Sequence, residues 1–320
     1  MRKVLRFLGL CLLHAAVIRS QDCSSYPTDE VATVSDCVQL QLAVWCRVQQ
    51  ISVISNMGCA DEVLISDSAD IIITGVGNPE ISITGVNRLF AISNSTAMFV
   101  DLRLTGGGSR LLSPGGIVST VASTIVMERC TVSNGLADTG GAIFADLSTV
   151  SLLDSSFIGN TAFRVGGFLY APVNTFLNIT NCVVNFNLAY VDGGGIAIIG
   201  GSVHITDSSF ENNYASNRGG AMVLYDVVAK VRETSVLHSQ TQKSTAFRGG
   251  SIFATSSDLL FDTLLCQNST GSDGYFMYLS TCITTIIRSD FIEGSGISGI
   301  VVKSKGSVLD MVDSHVSKST

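Results

Sequence analysis

The sequence predicts an all-β chain that coils as a single-stranded, right-handed parallel β-helix with three short strands per coil. Three observations predict this fold: a glycine pair that recurs about every 25 residues, an asparagine six residues before four successive pairs, and short apolar stretches between them. A unit of this length cannot bury its own apolar face. Stacked units pair strand on strand and share one continuous core.

The composition fits this class and argues against several others. The chain has 320 residues, of which 46% are hydrophobic and 14% charged, with 31 glycines and only 4 prolines. A chain with so many apolar and so few charged residues can bury a core, which argues against disorder. Collagen is excluded because it needs abundant proline. The net charge of −7 argues against nucleic acid as a partner, because phosphate binding needs a basic face.

The segment 1–20 is predicted to be a secretory signal peptide rather than part of the fold. Three basic residues, Arg2, Lys3 and Arg6, precede an apolar run that ends at Ile18 and is too short to span a bilayer. An uncleaved anchor is the alternative. Because we find no later apolar run long enough to cross a membrane, we expect a secreted or cell-surface chain without a further transmembrane segment.

The segment 21–60 is predicted to form a cysteine-rich N-terminal cap with a short helix. The helix is expected over residues 38–50, where Leu40, Val44 and Val48 share one face. Four cysteines crowd this segment, and in an oxidising compartment they should form disulfides, with three connectivities open. These candidates are Cys23, Cys37, Cys46 and Cys59.

The segment 61–320 is predicted to consist of the β-helix repeats. A glycine pair marks a tight corner that needs positive φ or leaves no room for a Cβ, and a column of asparagines can form an amide ladder. The structural glycines are Gly140, Gly166, Gly193, Gly219 and Gly249, after an earlier pair at Gly115. The structural asparagines are Asn134, Asn160, Asn187 and Asn213, with Asn268 six residues before Gly274.

Within each repeat the apolar residues alternate with polar ones, which is typical of strands. One set should point into the bore of the helix: Val150, Leu177, Val203 and Leu259. Their neighbours should point outward: Ser151, Asn178, His204 and Lys230.

The repeats resemble a known family. The FxxN segments, Phe157 to Asn160 and Phe210 to Asn213, together with the glycine-glycine-alanine-apolar motif, resemble the repeats of chlamydial polymorphic membrane proteins. Similar repeats occur in secreted β-helix proteins of the pectin-lyase-like superfamily. The resemblance covers residues 36–315 and implies the fold rather than an activity, since this fold carries lyases, hydrolases, adhesins and inert scaffolds.

The resemblance also implies where an active site would lie, because enzymes of this superfamily use carboxylates, calcium and a basic residue on one sheet. The calcium candidates are Asp154, Asp207, Glu233 and Asp262, with Asn181 in the same series. The alternative, which we favour, is that these side chains cap turns once per coil. No Gly-His-Gly motif is present, so we predict no catalytic residue and no cofactor other than calcium.

Arginines and sequons give further candidates. Arg164, Arg218 and Arg248 lie just before glycine pairs and either grip an anionic sugar or solvate a corner. Three asparagines begin N-glycosylation sequons: Asn94, Asn178 and Asn268. Of these, Asn178 should face solvent, whereas Asn268 should occupy the ladder position and be protected.

Two later cysteines are predicted to stay unpaired. Cys130 and Cys182 lie at nearly the same place two coils apart, with Ser156 in the intervening coil. Two coil steps put their Cα atoms about 9.6 Å apart, beyond the roughly 7 Å that a disulfide tolerates. Pairing between Cys266 and Cys282 stays open.

These observations predict a secreted, non-enzymatic scaffold or adhesin-like module that binds extracellular glycans or proteins through its solvent-facing sheets. The alternative is a polysaccharide lyase or hydrolase of the pectate-lyase type that acts on acidic polysaccharide. We find no amphipathic capping segment after the last repeat, so we expect either a truncated gene product or an exposed final coil that self-associates end to end.

Overall fold

The computed structural model describes residues 23, 31–67, 69–83, 87–108, 114–238, 240–241, 248–271, 273–274, 276–295 and 302–317. These residues form a parallel β-solenoid, as predicted: equivalent strands of successive coils pair in parallel, for example Thr124–Glu128 with Thr149–Leu153. The predicted signal peptide, 1–20, lies outside the described residues. No helix in the described part of the chain is long and apolar enough to cross a bilayer.

The first sheet has two columns of strands separated by a bend, and two long strands run through both columns. The first column contains Val31–Val34, Gln50–Val53, Asp70–Gly75, Thr96–Val100, Thr124–Glu128, Thr149–Leu153, Thr175–Thr180, Gly201–Thr206, Val228–Leu237, Asp258–Gln267, Ile283–Ile287 and Val308–Val312. The second column contains Met57–Cys59, Glu80–Ile83, Arg103–Gly106, Thr131–Ser133, Ser156–Ile158, Val183–Asn185, Ser209–Glu211, Asp290–Ile292 and His315–Ser317, together with the ends of the two long strands.

Two further sheets close each coil. The second sheet contains Val63–Ile65, Phe90–Ser93, Val118–Val121, Ile143–Asp146, Leu169–Ala171, Ile196–Ile199, Met222–Tyr225, Ile252–Thr255, Met277–Ser280 and Val302–Lys305. The third sheet contains Leu136–Ala137, Thr161–Ala162, Leu188–Ala189, Tyr214–Ala215 and Gln240–Thr241. The chain therefore passes from the second sheet to both columns of the first, then to the third, and returns through the glycine corner.

The bore of the solenoid is filled by alternate side chains, as predicted. Val150 pairs with Leu177 and Leu177 with Val203, and Ala229 continues the column to Leu259. All five are buried. The predicted outward column, Ser151, Asn178, His204 and Lys230, is likewise in register on the opposite face.

The glycine pairs form the corner between the third and second sheets. Gly166 has φ of 69°, a conformation that costs glycine little. A Cβ on the following Gly167 would collide with the carbonyl oxygen of Gly194 in the next coil. The first glycine of a pair therefore provides the turn, and the second permits close stacking.

The predicted amide ladder forms over three coils. Asn160 donates from Nδ2 to Oδ1 of Asn187 at 3.0 Å, and Asn187 donates in the same way to Asn213. The prediction was wrong for Asn134 and Asn268: both lie one residue earlier, with positive φ, and Gly135 and Ser269 take the ladder positions. In the coil of Asn134, the ladder position is five residues before the glycine pair instead of six.

A ladder that we did not predict runs along the bend of the first sheet. The side chain of each member accepts a hydrogen bond from the backbone N–H of the equivalent residue in the preceding coil. The same side chain donates to the backbone carbonyl of the residue two positions before it in the sequence. For example, Ser155 Oγ accepts from the Cys130 N–H at 3.0 Å and donates to Leu153 at 2.6 Å. Successive members are Cys130, Ser155, Cys182, Ser208 and Thr234.

The later cysteines are unpaired, which confirms our prediction for Cys130 and Cys182. The residue between them in the ladder is Ser155 and not Ser156, because Ser156 already belongs to the next strand. Cys266 and Cys282 are free as well. All four thiols are buried.

The N-terminal segment contains the predicted helix and disulfides. The helix Cys37–Trp45 begins at Asp36, whose Oδ1 accepts from the Gln39 N–H at 2.8 Å. It ends earlier than the predicted residue 50 because Arg47 has φ of 58° and Gln50 already pairs in a strand. Two disulfides join Cys23 to Cys46 and Cys37 to Cys59. Parallel pairing begins at Val31–Val34, inside the segment predicted as the cap.

Candidate binding surfaces

Two surface regions place functional side chains together. One is a groove along the bend of the first sheet, which we call the bend groove. The other is the outer face of the second sheet next to the glycine corner, which we call the corner ledge. The bend groove contains two of the four predicted carboxylates, Asp207 and Glu233, whereas the corner ledge contains the arginines.

The bend groove has a volume of about 640 Å³. On one side it is lined by the bend residues Asn181, Asp207, Glu233 and Thr263, and on the other by the first residues of the second column, among them Ser209 and Ser235. Asp207 and Glu233 occupy equivalent bend positions on adjacent coils, so their backbones lie about 4.8 Å apart.

The calcium candidates have a structural role at this bend. Asp154, Asp207 and Glu233 have φ between 46° and 50°, and their backbones pair from coil to coil. Asp tolerates this left-handed conformation better than most residues, which explains part of the series. Asp262 lies one residue before the bend position, which Thr263 occupies with φ of 56°.

Several of these carboxylates are engaged by neighbouring coils. Asn181 Nδ2 donates to Asp154 Oδ1 at 2.6 Å, and Arg288 pairs with Asp262. Asp101 binds Arg129, and this hydrogen bond lowers the pKa of the Asp101 carboxyl. In the described part of the chain, no three His, Cys, Asp or Glu side chains come together as a metal site.

The corner ledge arises from strand alternation. In strand Met222–Tyr225, Met222 and Leu224 point into the bore, so Val223 and Tyr225 point outward. The same alternation brings aromatic rings to the outer face on neighbouring coils. Tyr225 and Phe253 have ring centroids 5.7 Å apart, and Phe253 stacks on Tyr278 at 5.4 Å. Phe144 and Tyr170 form a further pair at 6.0 Å.

Four of these rings, those of Tyr170, Tyr225, Phe253 and Tyr278, belong to a second hydrophobic cluster outside the bore. Ala197, Val223, Phe253 and Tyr278 are buried there, although their strand positions face outward. Phe144, Tyr170 and Tyr225 are half-buried. Burial raises the pKa of the Tyr170 and Tyr225 hydroxyls, so both stay protonated well above neutral pH.

The residues directly before the first glycine of each corner form a row along the solenoid. They pair with each other from coil to coil through single parallel bridges, in the order Val165, Asp192, Arg218, Arg248 and Asp273. The Arg218 guanidinium lies 5.1 Å from the centroid of Phe253, and that of Arg248 lies 4.9 Å from Tyr278. Each arginine thus contacts the ring of the next coil in a cation–π arrangement. Arg218 also donates to the Tyr225 hydroxyl at 2.6 Å.

Acidic side chains balance the cations of the ledge. Arg164 pairs with Asp138, and the Lys303 ammonium lies 2.8 Å from Asp273. Asp192 lies 4.0 Å from Arg218 and accepts from Asn217 at 2.9 Å. Burial nevertheless raises the pKa of the Asp192 carboxyl, against the opposing effect of Arg218.

One acidic oxygen of the ledge has no partner. Oδ1 of Asp146, at the end of strand Ile143–Asp146, is buried and has no hydrogen-bond partner among the described residues. The strand's outer face also carries Phe144, beside Tyr170. A buried acceptor without a partner is rare and costly, so it requires an explanation.

Sequence reasoning identified the arginines of the ledge but missed its aromatic residues. The signal was present, since an aromatic residue recurs in the apolar stretch after several glycine pairs. Its members are Phe144, Tyr170, Tyr225, Phe253 and Tyr278.

The sequons lie on different surfaces. Asn94 is exposed at a turn with φ of 48°, and Asn178 is half-buried in the outward column of the first sheet. Asn268 is half-buried and outside the amide ladder, so the expectation that the ladder protects it was wrong. His204 lies beside Asn178 and contacts the edge of Phe176 at 5.5 Å.

No protein-family model and no curated protein matches this chain. Among solved structures, the A-module of the mannuronan C-5 epimerase AlgE6 of Azotobacter vinelandii is similar at 13% identity and a TM-score of 0.28. The similarity covers 90% of this chain and 97% of that one. No conclusion about activity follows from a likeness of this extent.

Proposed function

We propose that this protein is a secreted, non-enzymatic binding module that holds extracellular glycans or proteins on the corner ledge. The observation that carries the proposal is the set of half-buried aromatic side chains on one outer face, Phe144, Tyr170 and Tyr225, together with Arg218 and Arg248. Such groups offer apolar contact area together with directional hydrogen bonds, the combination found in binding sites.

The solenoid supports a binding role because it holds these groups in place before a ligand arrives. Arg218 is fixed by the ring of Phe253, the Tyr225 hydroxyl and Asp192. Its side chain therefore loses little conformational entropy when it binds a ligand, and that saving contributes to affinity. The extracellular location is supported by the two disulfides, which persist in oxidising compartments.

The test compares a ledge variant with a matched variant on another face. The ledge variant is Arg218→Ala/Arg248→Ala, and the control is Lys230→Ala/Arg232→Ala, which removes two exposed cations from the first sheet. Purified proteins are applied to arrays of glycans and extracellular-matrix proteins. We expect the ledge variant to lose the ligands of the parent protein and the control to keep them. If the ledge variant and the control variant bind the same ligands equally well, the proposal is refuted.

A polysaccharide lyase or hydrolase is the second candidate, and the bend groove favours it. Asp207 and Glu233 line the groove from adjacent coils, and hydrolysis of glycosidic bonds uses two carboxylates. The candidate predicts that the protein releases reducing ends or unsaturated products from polygalacturonate, and that Asp207→Asn/Glu233→Gln abolishes the release. The proposed binding function predicts no turnover by either protein.

A further inference from the structure

The corner ledge has as many acidic as basic side chains. Its cations are Arg164, Arg218, Arg248 and Lys303, and its carboxylates are Asp138, Asp146, Asp192 and Asp273. Three of the cations have a carboxylate close by. Arg248 has none among the described residues and instead lies against Tyr278.

This balance works against an anionic ligand. A polyanion that approached Arg164, Arg218 or Lys303 would also approach the carboxylate beside each cation, and like charges brought together cost free energy. An anionic ligand would therefore gain little electrostatic energy from these pairs. We propose that the ledge binds an uncharged, hydroxyl-rich glycan, an inference that rests on the proposed binding function.

The ledge offers what sugar hydroxyls need, because a hydroxyl both donates and accepts hydrogen bonds. Asp146 is half-buried at the end of strand Ile143–Asp146, and its carboxylate is an acceptor for a sugar hydroxyl. Donors are provided by the guanidiniums, which have five N–H groups each, and by the tyrosine hydroxyls.

Besides hydrogen bonds, sugar recognition uses apolar contacts, and the aromatic rings can make them. A sugar ring has an apolar face whose C–H groups are attracted to the negative face of an aromatic ring. Phe144, Tyr170 and Tyr225 are half-buried, so we expect their rings to make this contact. Buried Phe253 and Tyr278 instead hold Arg218 and Arg248 in position.

The length of the ledge suits a chain of sugars rather than a single one. Strands Ile143–Asp146 and Met277–Ser280 are five coils apart along the second sheet, about 24 Å at the usual strand spacing. Affinity should therefore rise with the number of sugar units until the ledge is filled.

The experiment is affinity gel electrophoresis of the intact protein in gels that contain one polysaccharide each. The neutral probes are uncharged cellulose derivatives, β-1,3-glucan, mannan and galactan, and the acidic probes are polygalacturonate and alginate. Each gel is run at low and at high salt. We expect retardation by at least one neutral polysaccharide, and salt should not weaken it because no net charge is neutralised.

Two variants connect the binding to the ledge. Tyr225→Ala should weaken binding about tenfold, whereas Tyr225→Phe, which keeps the ring and the packing, should weaken it by less. The first-sheet variant Lys230→Ala/Arg232→Ala should bind like the parent. Circular dichroism checks that each variant is folded.

The other outcomes are distinct. Retention only by acidic polysaccharides, weakened by salt, would overturn the neutral ligand and leave the proposed function standing. Binding to an extracellular-matrix protein, but to no polysaccharide, would also overturn the neutral glycan ligand and leave the proposed function standing. If neither polysaccharides nor proteins bind, both the inference and the proposed function fail.

Discussion

Cys182 lies in the hydrogen-bonded ladder at the bend of the first sheet, between Ser155 and Ser208 on neighbouring coils. Its sulfur donates to the Thr180 carbonyl at 3.2 Å and accepts from the Ser155 backbone N–H. The position thus requires a small side chain that both donates and accepts. A thiol does so as a weaker substitute for the hydroxyls above and below it.

Two substitutions at this position should differ in stability. Cys182→Ser keeps both hydrogen bonds and should change the free energy of unfolding by less than about 1 kcal/mol. Cys182→Val has a similar size but leaves the buried Ser155 N–H without a partner, which should cost about 1–3 kcal/mol. Urea unfolding measures both. Equal stability of the two variants would mean that the ladder contributes nothing.

The buried thiols should also respond to pH. Burial raises the pKa of Cys130 and Cys182 to about 11, so both are protonated in the native protein at neutral pH. The thiolate is the nucleophile, and native protein should therefore resist thiol reagents that modify the unfolded chain. The thiols of the unfolded chain lose their protons at a lower pH than the buried native thiols do. The free energy of unfolding should therefore decrease as the pH rises from about 9 to about 11.

A serine variant isolates this effect. We expect the stability of Cys130→Ser/Cys182→Ser to decrease less steeply than that of the parent protein over the same pH range. The free energy of unfolding as a function of pH, measured for both, gives the difference. Parallel curves, or rapid labelling of the native thiols, would contradict the burial of the thiols.

At the scale of the coil, the amide ladder is the element that the sequence pattern identifies best. Asn187 accepts from both the backbone and the side chain of Asn160, and donates to Asn213 and to the Phe157 carbonyl. Asn134 is at the same distance from its glycine pair, yet it lies exposed outside the ladder.

The same substitution at these two asparagines should therefore have different effects. Asn187→Gly removes four buried hydrogen bonds and should cost at least about 3 kcal/mol. Asn134→Gly places glycine at φ of 59°, a favourable conformation, and should change stability by less than about 0.5 kcal/mol. Thermal unfolding of the parent protein and both variants measures these differences in stability. A similar loss at Asn134 would show that our assignment of ladder positions is wrong.

The comparison of Asn134 with Asn187 also shows how far the sequence determines the fold. Apolar alternation recurs along the strands and glycine pairs recur from Gly115 to Gly249, so they predict the bore and the corner of these coils correctly. A one-residue change in turn length is invisible in that pattern, which is why Asn134 and Ser156 were placed one residue out of register. The ledge depends on the direction of the Arg218 and Arg248 side chains, which only the packed corner determines.

At the scale of the whole molecule, each coil contacts only its neighbours, so stability is a sum of local terms. The first coils carry two disulfides, which enclose 23 and 22 residues of sequence. Loops of this size contribute about 3 kcal/mol each in the chain-entropy account. The disulfides therefore stabilise the N-terminal end far more than the middle.

Reduction of the disulfides should loosen the molecule from this end. With a reducing agent under native conditions, we expect amide hydrogen exchange to rise in strands Gln50–Val53 and Asp70–Gly75. Strands from Ile143–Asp146 to Met222–Tyr225 should keep their protection. A uniform rise along the whole solenoid would instead show a single cooperative unit.

The last described coil presents the opposite end. Its strands pair only with the preceding coil among the described residues, and Val308, Val312 and Val316 are exposed. The end-to-end association expected from the sequence stays a prediction, which sedimentation over a range of concentrations can test.

The central claim is that ligands bind on the corner ledge and not in the bend groove. Hydrogen exchange of the protein, with and without a polysaccharide that retards it, tests this claim most directly. The account predicts added protection in strands Ile143–Asp146, Met222–Tyr225 and Ile252–Thr255, with the polysaccharide recovered intact. Protection confined to Val183–Asn185 and Ser209–Glu211, with cleaved polysaccharide, would contradict it.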